Sequence, residues 1–171
     1  MILSDGEKDM EARKDQLISV VMPAYNCERF IGKAIESVIN QSYPHWELIV
    51  VDDCSKDATA AVAEKYASLD PRIRVIRQPE NQGVAETRNA GISAALGTYV
   101  SLLDCDDVWA QSKLEKQLSL LCESKAPIAY CSYEFIDEND QPFGKPFLVP
   151  PTTDFNKMLG RSVISCSTVM A

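Results

Sequence analysis

Strand-like apolar segments alternate with helix-like segments along most of the 171-residue chain. Each strand-like segment is followed by a segment whose apolar residues recur with the i, i+3/i+4 spacing of a half-buried helix. Four such β-α units in series imply parallel strands joined by right-handed crossovers, with helices on both faces of the sheet. The sequence therefore predicts an α/β fold with a Rossmann-like, mostly parallel sheet. The predicted strands are Leu17–Met22, Trp46–Asp53, Ile73–Arg77 and Thr98–Asp104.

The remaining boundaries follow from the same patterns. Pro23 is expected to end the first strand, and Ser55 or Asp57 could cap the second helix. A strand at 128–136, a turn at 137–144, a strand at 145–150 and a last strand at 162–171 complete the expected order. Residues 1–16 are polar and form an expected extension, with one domain over 17–171 that we expect to be truncated at its C-terminal end. The predicted helices cover residues 28–41, 55–69, 83–95 and 111–123.

Composition excludes several classes of function. The net charge of −8 argues against nucleic acid or an anionic membrane as the main partner. The six cysteines are scattered without a C-x-x-C pair, and His45 is the only histidine, so a zinc site is not expected. Unpaired cysteines and the lack of a long apolar run predict a soluble, cytoplasmic protein. The sequence gives no indication of the oligomeric state.

Polar motifs follow the predicted strands at the points where these strands end. PAYN follows the first strand, DDCS the second, RQPENQG the third and DCDD the fourth. Ligands of such sheets bind outside the carboxyl ends of the strands, so these motifs are expected to share one rim. The segment YVSLLDCDDVW brings together Asp104, Asp106 and Asp107, and two carboxylates about 4 Å apart repel by ~4 kcal/mol at an effective dielectric of 20. A divalent cation, Mg²⁺ or Mn²⁺, would relieve this repulsion.

The same motifs carry a resemblance to a known family. The ordered set VVMPAYN, AIESVINQSYPHWELIVVDDCSKD and ENQGVAETRNAGISAALGTYVSLLDCDDVW resembles the nucleotide-sugar-binding part of the family 2 glycosyltransferases, which have the GT-A fold. The resemblance extends from Leu17 to Cys131. It implies transfer of a sugar from a nucleotide diphosphate sugar, with UDP as the expected nucleotide, to a glycan or lipid-linked acceptor. It favours inversion and a location in the cytoplasm, at the inner face of the membrane if regions outside this chain anchor it.

The resemblance also implies roles for individual residues. Asp53 would accept a hydrogen bond from the uracil ring in a pocket that it forms with residues 23–26. Asp104 and Asp106 would form a D-x-D motif that binds the metal, with Asp107 as a further ligand or support. Asn89 belongs to the segment that would pack beneath the nucleotide and donor sugar. The implied nucleotide-binding residues are Pro23, Ala24, Tyr25, Asn26, Asp53, Asn81, Gly83, Arg88 and Asp104.

Other interpretations of these residues stay open at this point. Asp52 and Asp53 could lead to a helix cap, and Arg88 could be a salt-bridged helix residue. Asp137, Glu138 and Asp140 are interpreted as turn formers. The catalytic base of an inverting transfer is therefore expected beyond Ala171, which makes a non-catalytic nucleotide-sugar-binding module the main alternative. A phosphoacceptor receiver domain is a more distant alternative. The acid pair of a receiver ends its first strand, whereas Asp52 and Asp53 end the second predicted strand of this chain.

Overall fold

A computed structural model describes residues 16–154, 156–157 and 164–171. The longest helix in this part of the chain has 12 residues, and none is long and apolar enough to cross a membrane. Residues 1–15 of the predicted 1–16 extension lie outside the described residues. The strands are β1 (Ile18–Ala24), β2 (Trp46–Asp52), β3 (Ile73–Arg77), β4 (Tyr99–Leu102), β5 (Tyr133–Ile136) and β6 (Pro142–Phe147). The helices are α1 (Ile31–Ile39), α2 (Thr59–Leu69), α3 (Val84–Ser93) and α4 (Lys113–Ser124).

The first four strands form one parallel sheet in the order β3-β2-β1-β4. Every residue of β1 and β2 is buried, as the near-continuous apolar runs of a parallel sheet covered on both faces require. The predicted α/β class with a parallel sheet is confirmed.

The prediction that Pro23 ends the first strand is wrong, because β1 continues to Ala24 and Pro23 pairs with Val51. The backbone of Val21 faces β4, because its carbonyl accepts from the Leu103 N–H. Backbone groups two residues apart on a strand face the same neighbour, so the backbone of Pro23 also faces the β4 side. The pairing of β1 with β4 ends at Val21 and Leu102. The missing N–H of proline therefore removes no ladder hydrogen bond.

Helices cover both faces of the sheet, as predicted. On one face, side chains of β1 and β2 join one apolar core with Ile35 of α1, Ala63 of α2 and Leu114 of α4. On the other face α3 lies close to the sheet, because Gly91 has no side chain. A Cβ at Gly91 would lie 2.3 Å from Cγ1 of Val21 and 3.2 Å from Cγ2 of Val51.

The C-terminal part departs from the predicted boundaries. β5 begins only at Tyr133, and β6 begins at Pro142, inside the predicted turn. The predicted last strand is replaced by a 3₁₀ turn at Cys166–Thr168, and Met170 then bridges Ser101 of β4 and Ala129. The Thr168 hydroxyl donates to the Ser165 carbonyl at 2.7 Å, the kind of local bond by which Ser and Thr compete with a strand ladder. Residues 162 and 163 of that prediction lie outside the described residues.

Candidate functional site

A cleft of about 430 Å³ opens at the carboxyl ends of β1, β2 and β4. All the sequence-predicted site residues line it except Asn26, Asn89 and Asp107. The cleft is also lined by Val84, Thr87 and Cys105, which were not predicted. Val84 lies four residues before Arg88 on α3, so helical spacing was the signal that would have found it. Thr87 lies three residues after Val84 and can be found from it by the same spacing. The shared rim expected from the strand order therefore brings the predicted motifs together.

Asp53 follows β2 and ties two loops of the cleft together. Its side chain is 4% exposed. Its Oδ1 accepts from the Gln82 backbone N–H at 2.8 Å, and its Oδ2 accepts from the Gly83 N–H at 2.9 Å. Gly83 has φ +86°, a conformation that glycine adopts without strain. A carboxylate has about four acceptor positions, so Asp53 retains capacity for a ligand N–H.

Asp52 differs from its neighbour in position and partners. It is buried away from the cleft, where its Oδ2 lies 4.0 Å from Nε of Arg77. The N-cap of α2 is Ala58, and no side chain makes a cap hydrogen bond there. The helix-cap interpretation of Asp52 and Asp53 is therefore not supported, and the prediction that Ser55 or Asp57 caps this helix is wrong. The carboxylate of Asp57 instead accepts from the backbone N–H of Thr59, the first residue of α2, at 2.9 Å.

Asn26 joins the loops that follow β1 and β2. Its backbone N–H donates to the Ser55 hydroxyl at 3.0 Å, and its Oδ1 accepts from the Lys56 N–H at 2.8 Å. It adopts φ +49°, which asparagine tolerates better than most residues. These contacts fix the turn after Tyr25, which is exposed at the cleft. Asn26 thus shapes the rim from outside the cleft.

Arg88 and Asp104 form an ion pair on the cleft wall. Nη2 of Arg88 lies 2.6 Å from Oδ1 of Asp104, and the two side chains are 22% and 31% exposed. Burial disfavours the charged guanidinium, but its hydrogen bond to Asp104 and the charge of that carboxylate together outweigh this effect and raise the pKa of Arg88. Arg88 is therefore both a salt-bridged helix residue and a lining residue, so the two interpretations are compatible.

The three carboxylates of DCDD have three different environments. Asp104 pairs with Arg88, Asp106 is exposed at the cleft, and Asp107 is half-buried near the Ser167 hydroxyl. Burial raises the pKa of Asp107, and the charges of Asp106 and Asp104 add to this effect. Because the three carboxylates have different surroundings, the mutual repulsion expected from the sequence is reduced.

The carboxylates at the cleft determine whether a metal ion could bind there. Within the described ranges, no group of three or more His, Cys, Asp or Glu side chains is placed to hold an ion. Asp104 and Asp106 nevertheless both line the cleft. Mg²⁺ typically binds one or two carboxylates together with waters and substrate phosphates, so these two residues fit a cation bound jointly with a diphosphate.

The acidic turn between β5 and β6 makes structural contacts. Glu138 pairs with Arg29 at 3.1 Å, and Asp140 pairs with Lys33 at 2.7 Å. Asp137 accepts from the backbone N–H groups of the same turn, which agrees with its interpretation as a turn former.

Comparison with known proteins places the chain in a family. The sequence model of "Glycosyl transferase family 2" matches residues 19–171. The chain belongs to glycosyl transferase family 2. It is 39% identical over 154 residues to the putative teichuronic acid biosynthesis glycosyltransferase TuaG of Bacillus subtilis, covering 90% of this chain and 61% of TuaG. It is 37% identical over 156 residues to the Escherichia coli UDP-Glc:alpha-D-GlcNAc-diphosphoundecaprenol beta-1,3-glucosyltransferase WfgD, covering 91% and 60%. The chain thus spans about three fifths of these relatives' lengths.

Solved structures of GT-A glycosyltransferases share the fold of this family 2 chain. S. aureus TarS 1-349 in complex with UDP aligns with a TM-score of 0.64 and 29% identity, over 68% of this chain and 35% of that one. The mannosyltransferase PcManGT from Pyrobaculum calidifontis, in complex with GDP-Man and Mn²⁺, aligns with a TM-score of 0.64 and 26% identity, over the same shares. The resemblance found in the sequence motifs is confirmed: the chain is a glycosyltransferase domain of family 2.

Proposed function

We propose that this chain binds the UDP part of a UDP-sugar as the donor half of a sugar transfer. The observation that carries the proposal is the convergence of Asp53, Arg88, Asp104 and Asp106 on one cleft at the carboxyl ends of parallel strands. WfgD is named for a UDP-Glc donor, and TarS has been solved with UDP. Both support UDP as the nucleotide.

The nucleobase occupies the side of the cleft formed by Pro23, Ala24, Tyr25 and Asp53. Asp53 already holds two backbone N–H groups, so its carboxylate is fixed in direction before the uracil ring N–H arrives. Such preorganisation lowers the entropic cost of binding. Asn81 and Gly83 complete the floor, because the loop that carries them is bonded to Asp53.

The diphosphate lies towards Arg88, Asp104 and Asp106. Asp104 and Asp106 would hold Mg²⁺ or Mn²⁺, with Asp107 as a supporting residue. When bound, the cation neutralises charge on the diphosphate leaving group. Arg88 holds Asp104 in place and adds a positive charge to the same wall of the cleft. The PcManGT complex with Mn²⁺ supports a divalent metal in this fold.

The acceptor is a glycan or lipid-linked sugar, and the reaction inverts the donor configuration. Inversion requires a base that deprotonates the acceptor hydroxyl, and we assign none of the described residues to that role. The diphosphoundecaprenol in the name of WfgD supports a lipid-linked acceptor. A lipid diphosphate acceptor is in turn consistent with a location in the cytoplasm, at the inner face of the membrane.

A calorimetric panel tests the donor assignment. The chain is titrated with UDP, GDP, dTDP and CDP at saturating Mn²⁺, and UDP should bind at least about tenfold more tightly than GDP. UDP-glucose and UDP-GlcNAc are then compared to identify the sugar. Tighter binding of GDP or dTDP would refute the UDP assignment, and absence of all nucleotide binding would refute the proposal. Binding of a UDP-sugar with no transfer to any lipid-linked acceptor would favour the non-catalytic module.

A further inference from the structure

Ser167 contacts the acidic segment DCDD from a distant part of the chain. Its hydroxyl oxygen accepts from the Asp104 backbone N–H at 3.0 Å. The same hydroxyl lies near the Asp107 carboxylate, where it opposes the rise in pKa that burial causes. Ser167 is 8% exposed, and its bond to Asp104 is therefore shielded from water. One side chain thus holds the backbone at the start of the acidic segment.

Three side chains hold the backbone around Ser167 against β4, α4 and the loop between them. Three successive carbonyl groups, at residues 167, 168 and 169, accept side-chain hydrogen bonds; that of Thr168 also accepts a weak one from Sγ of Cys131 at 3.7 Å. The Ser167 carbonyl accepts from Nε1 of Trp109 at 2.7 Å, and the Thr168 carbonyl accepts from Nε2 of Gln117 at 2.7 Å. The Val169 carbonyl accepts from the Ser101 hydroxyl at 2.6 Å. We call Trp109, Gln117 and Ser101 the donor triplet.

Lys113 contacts every member of the donor triplet. Its Nζ donates to the Ser101 hydroxyl at 3.0 Å and to Oε1 of Gln117 at 2.7 Å, and it lies 3.8 Å from the centre of the Trp109 ring. Because Lys113 has no acceptor when it is charged, Ser101 and Gln117 then accept from it and donate elsewhere. Their donor atoms are thereby directed to the carbonyls of 168 and 169. Lys113, at 7% exposure, orients the donor triplet.

We propose that Ser167 is a positioning residue for the metal- and diphosphate-binding segment, held in place by Lys113 and the donor triplet. This inference rests on the proposed function, because it assigns Asp104 and Asp106 to the cation. β4 ends at Leu102, and the Leu103 N–H donates the last hydrogen bond to β1, so no strand ladder holds DCDD itself. Ser167 supplies that support, because it fixes the backbone at Asp104, two residues before Asp106. Without the hydroxyl, the Asp104 N–H loses its buried acceptor.

The Ser167→Ala variant tests this role, because it removes one oxygen and adds no bulk. Calorimetry should show UDP binding at saturating Mn²⁺ weakened on the order of tenfold, the scale of leaving one buried N–H group without its acceptor. Binding of UDP in EDTA should change by less than about twofold, because the nucleobase contacts at Asp53 are separate. The control is Ser165→Ala, two residues away, whose hydroxyl makes no hydrogen bond within the described residues; its affinity should match the wild type. Equal Mn²⁺-dependent affinity in Ser167→Ala and wild type would overturn the inference.

A second readout separates this inference from the proposed function. Amide hydrogen exchange at Asp104, measured without nucleotide or metal, should be on the order of tenfold faster in Ser167→Ala than in wild type or Ser165→Ala. If wild type fails to bind UDP, the proposed function fails, and exchange alone decides whether Ser167 fixes the segment. Unchanged exchange at Asp104 would overturn the inference whether or not UDP binds.

Discussion

The Arg88 guanidinium donates to the Asp104 carboxylate at 2.6 Å, joining α3 to the segment that follows β4. The pair compensates one of the three acidic charges of DCDD inside the chain itself. Asp107 is half-buried, and Asp106 is the member of the segment that is exposed to solvent. Its carboxylate is therefore the one most available to a cation shared with a diphosphate.

Asp106→Asn should leave the metal-free chain as stable as wild type or more stable, by less than about 1 kcal/mol. The substitution removes repulsion mainly from Asp107, because Arg88 compensates Asp104, and solvent screens an exposed charge. Thermal melts in EDTA measure this change, with Glu134→Gln as a control at another exposed acid. Clear destabilisation by Asp106→Asn would mean that Asp106 has a structural role instead.

Asp53→Ala should weaken UDP binding by about 1.5–3 kcal/mol and also lower the free energy of unfolding by about 1–3 kcal/mol. The second effect arises because the backbone N–H groups of Gln82 and Gly83 lose their buried acceptor. Calorimetry and chemical denaturation measure the two effects. Asp52→Ala is the matched comparison, because Asp52 does not line the cleft. A larger loss of UDP affinity in Asp52→Ala would reverse our assignment of the pair.

Gly91→Ala should destabilise the chain by about 1–3 kcal/mol, the usual cost of overpacking. The added methyl would lie 2.3 Å from Cγ1 of Val21, so α3 would have to move away from the sheet. Gly32→Ala in α1 is the control, because its Cβ would meet nothing closer than 3.5 Å and alanine favours a helix. Urea denaturation should show the two substitutions acting in opposite directions. Equal stability of the two variants would argue against close packing of α3.

Lys113 should make the free energy of unfolding rise with pH above neutrality. Burial lowers the pKa of Lys113 to about 7, whereas an unfolded lysine titrates near 10.4. Between these values the unfolded chain binds more protons, so stability increases by up to about 1.4 kcal/mol per pH unit. Chemical denaturation of wild type and Lys113→Met between pH 6.5 and 8.5 measures how the free energy of unfolding changes with pH. All other groups titrate in both proteins, so the difference between the two profiles reports Lys113. Parallel pH profiles would contradict a lowered pKa.

The sequence predicted the sheet and the rim of the cleft because both depend on local patterns. Apolar runs followed by helical spacing define parallel strands, and parallel strands place their carboxyl ends on one edge. The role of Ser167 depends on a contact between residues 63 positions apart, which no local pattern encodes. The extent of β1 could not be predicted either, because Pro23 is tolerated only where β4 has already ended. The environment of each acid likewise depends on partners from α3 and the C-terminal segment.

The central claim is that the acidic cleft binds a nucleoside diphosphate through a divalent cation. A single calorimetric titration of the chain with UDP, in Mn²⁺ and again in EDTA, tests it most directly. Because the carboxylates of Asp104 and Asp106 repel a diphosphate unless a cation lies between them, we predict at least about tenfold weaker binding in EDTA. Equal affinity for UDP in Mn²⁺ and in EDTA would contradict the account.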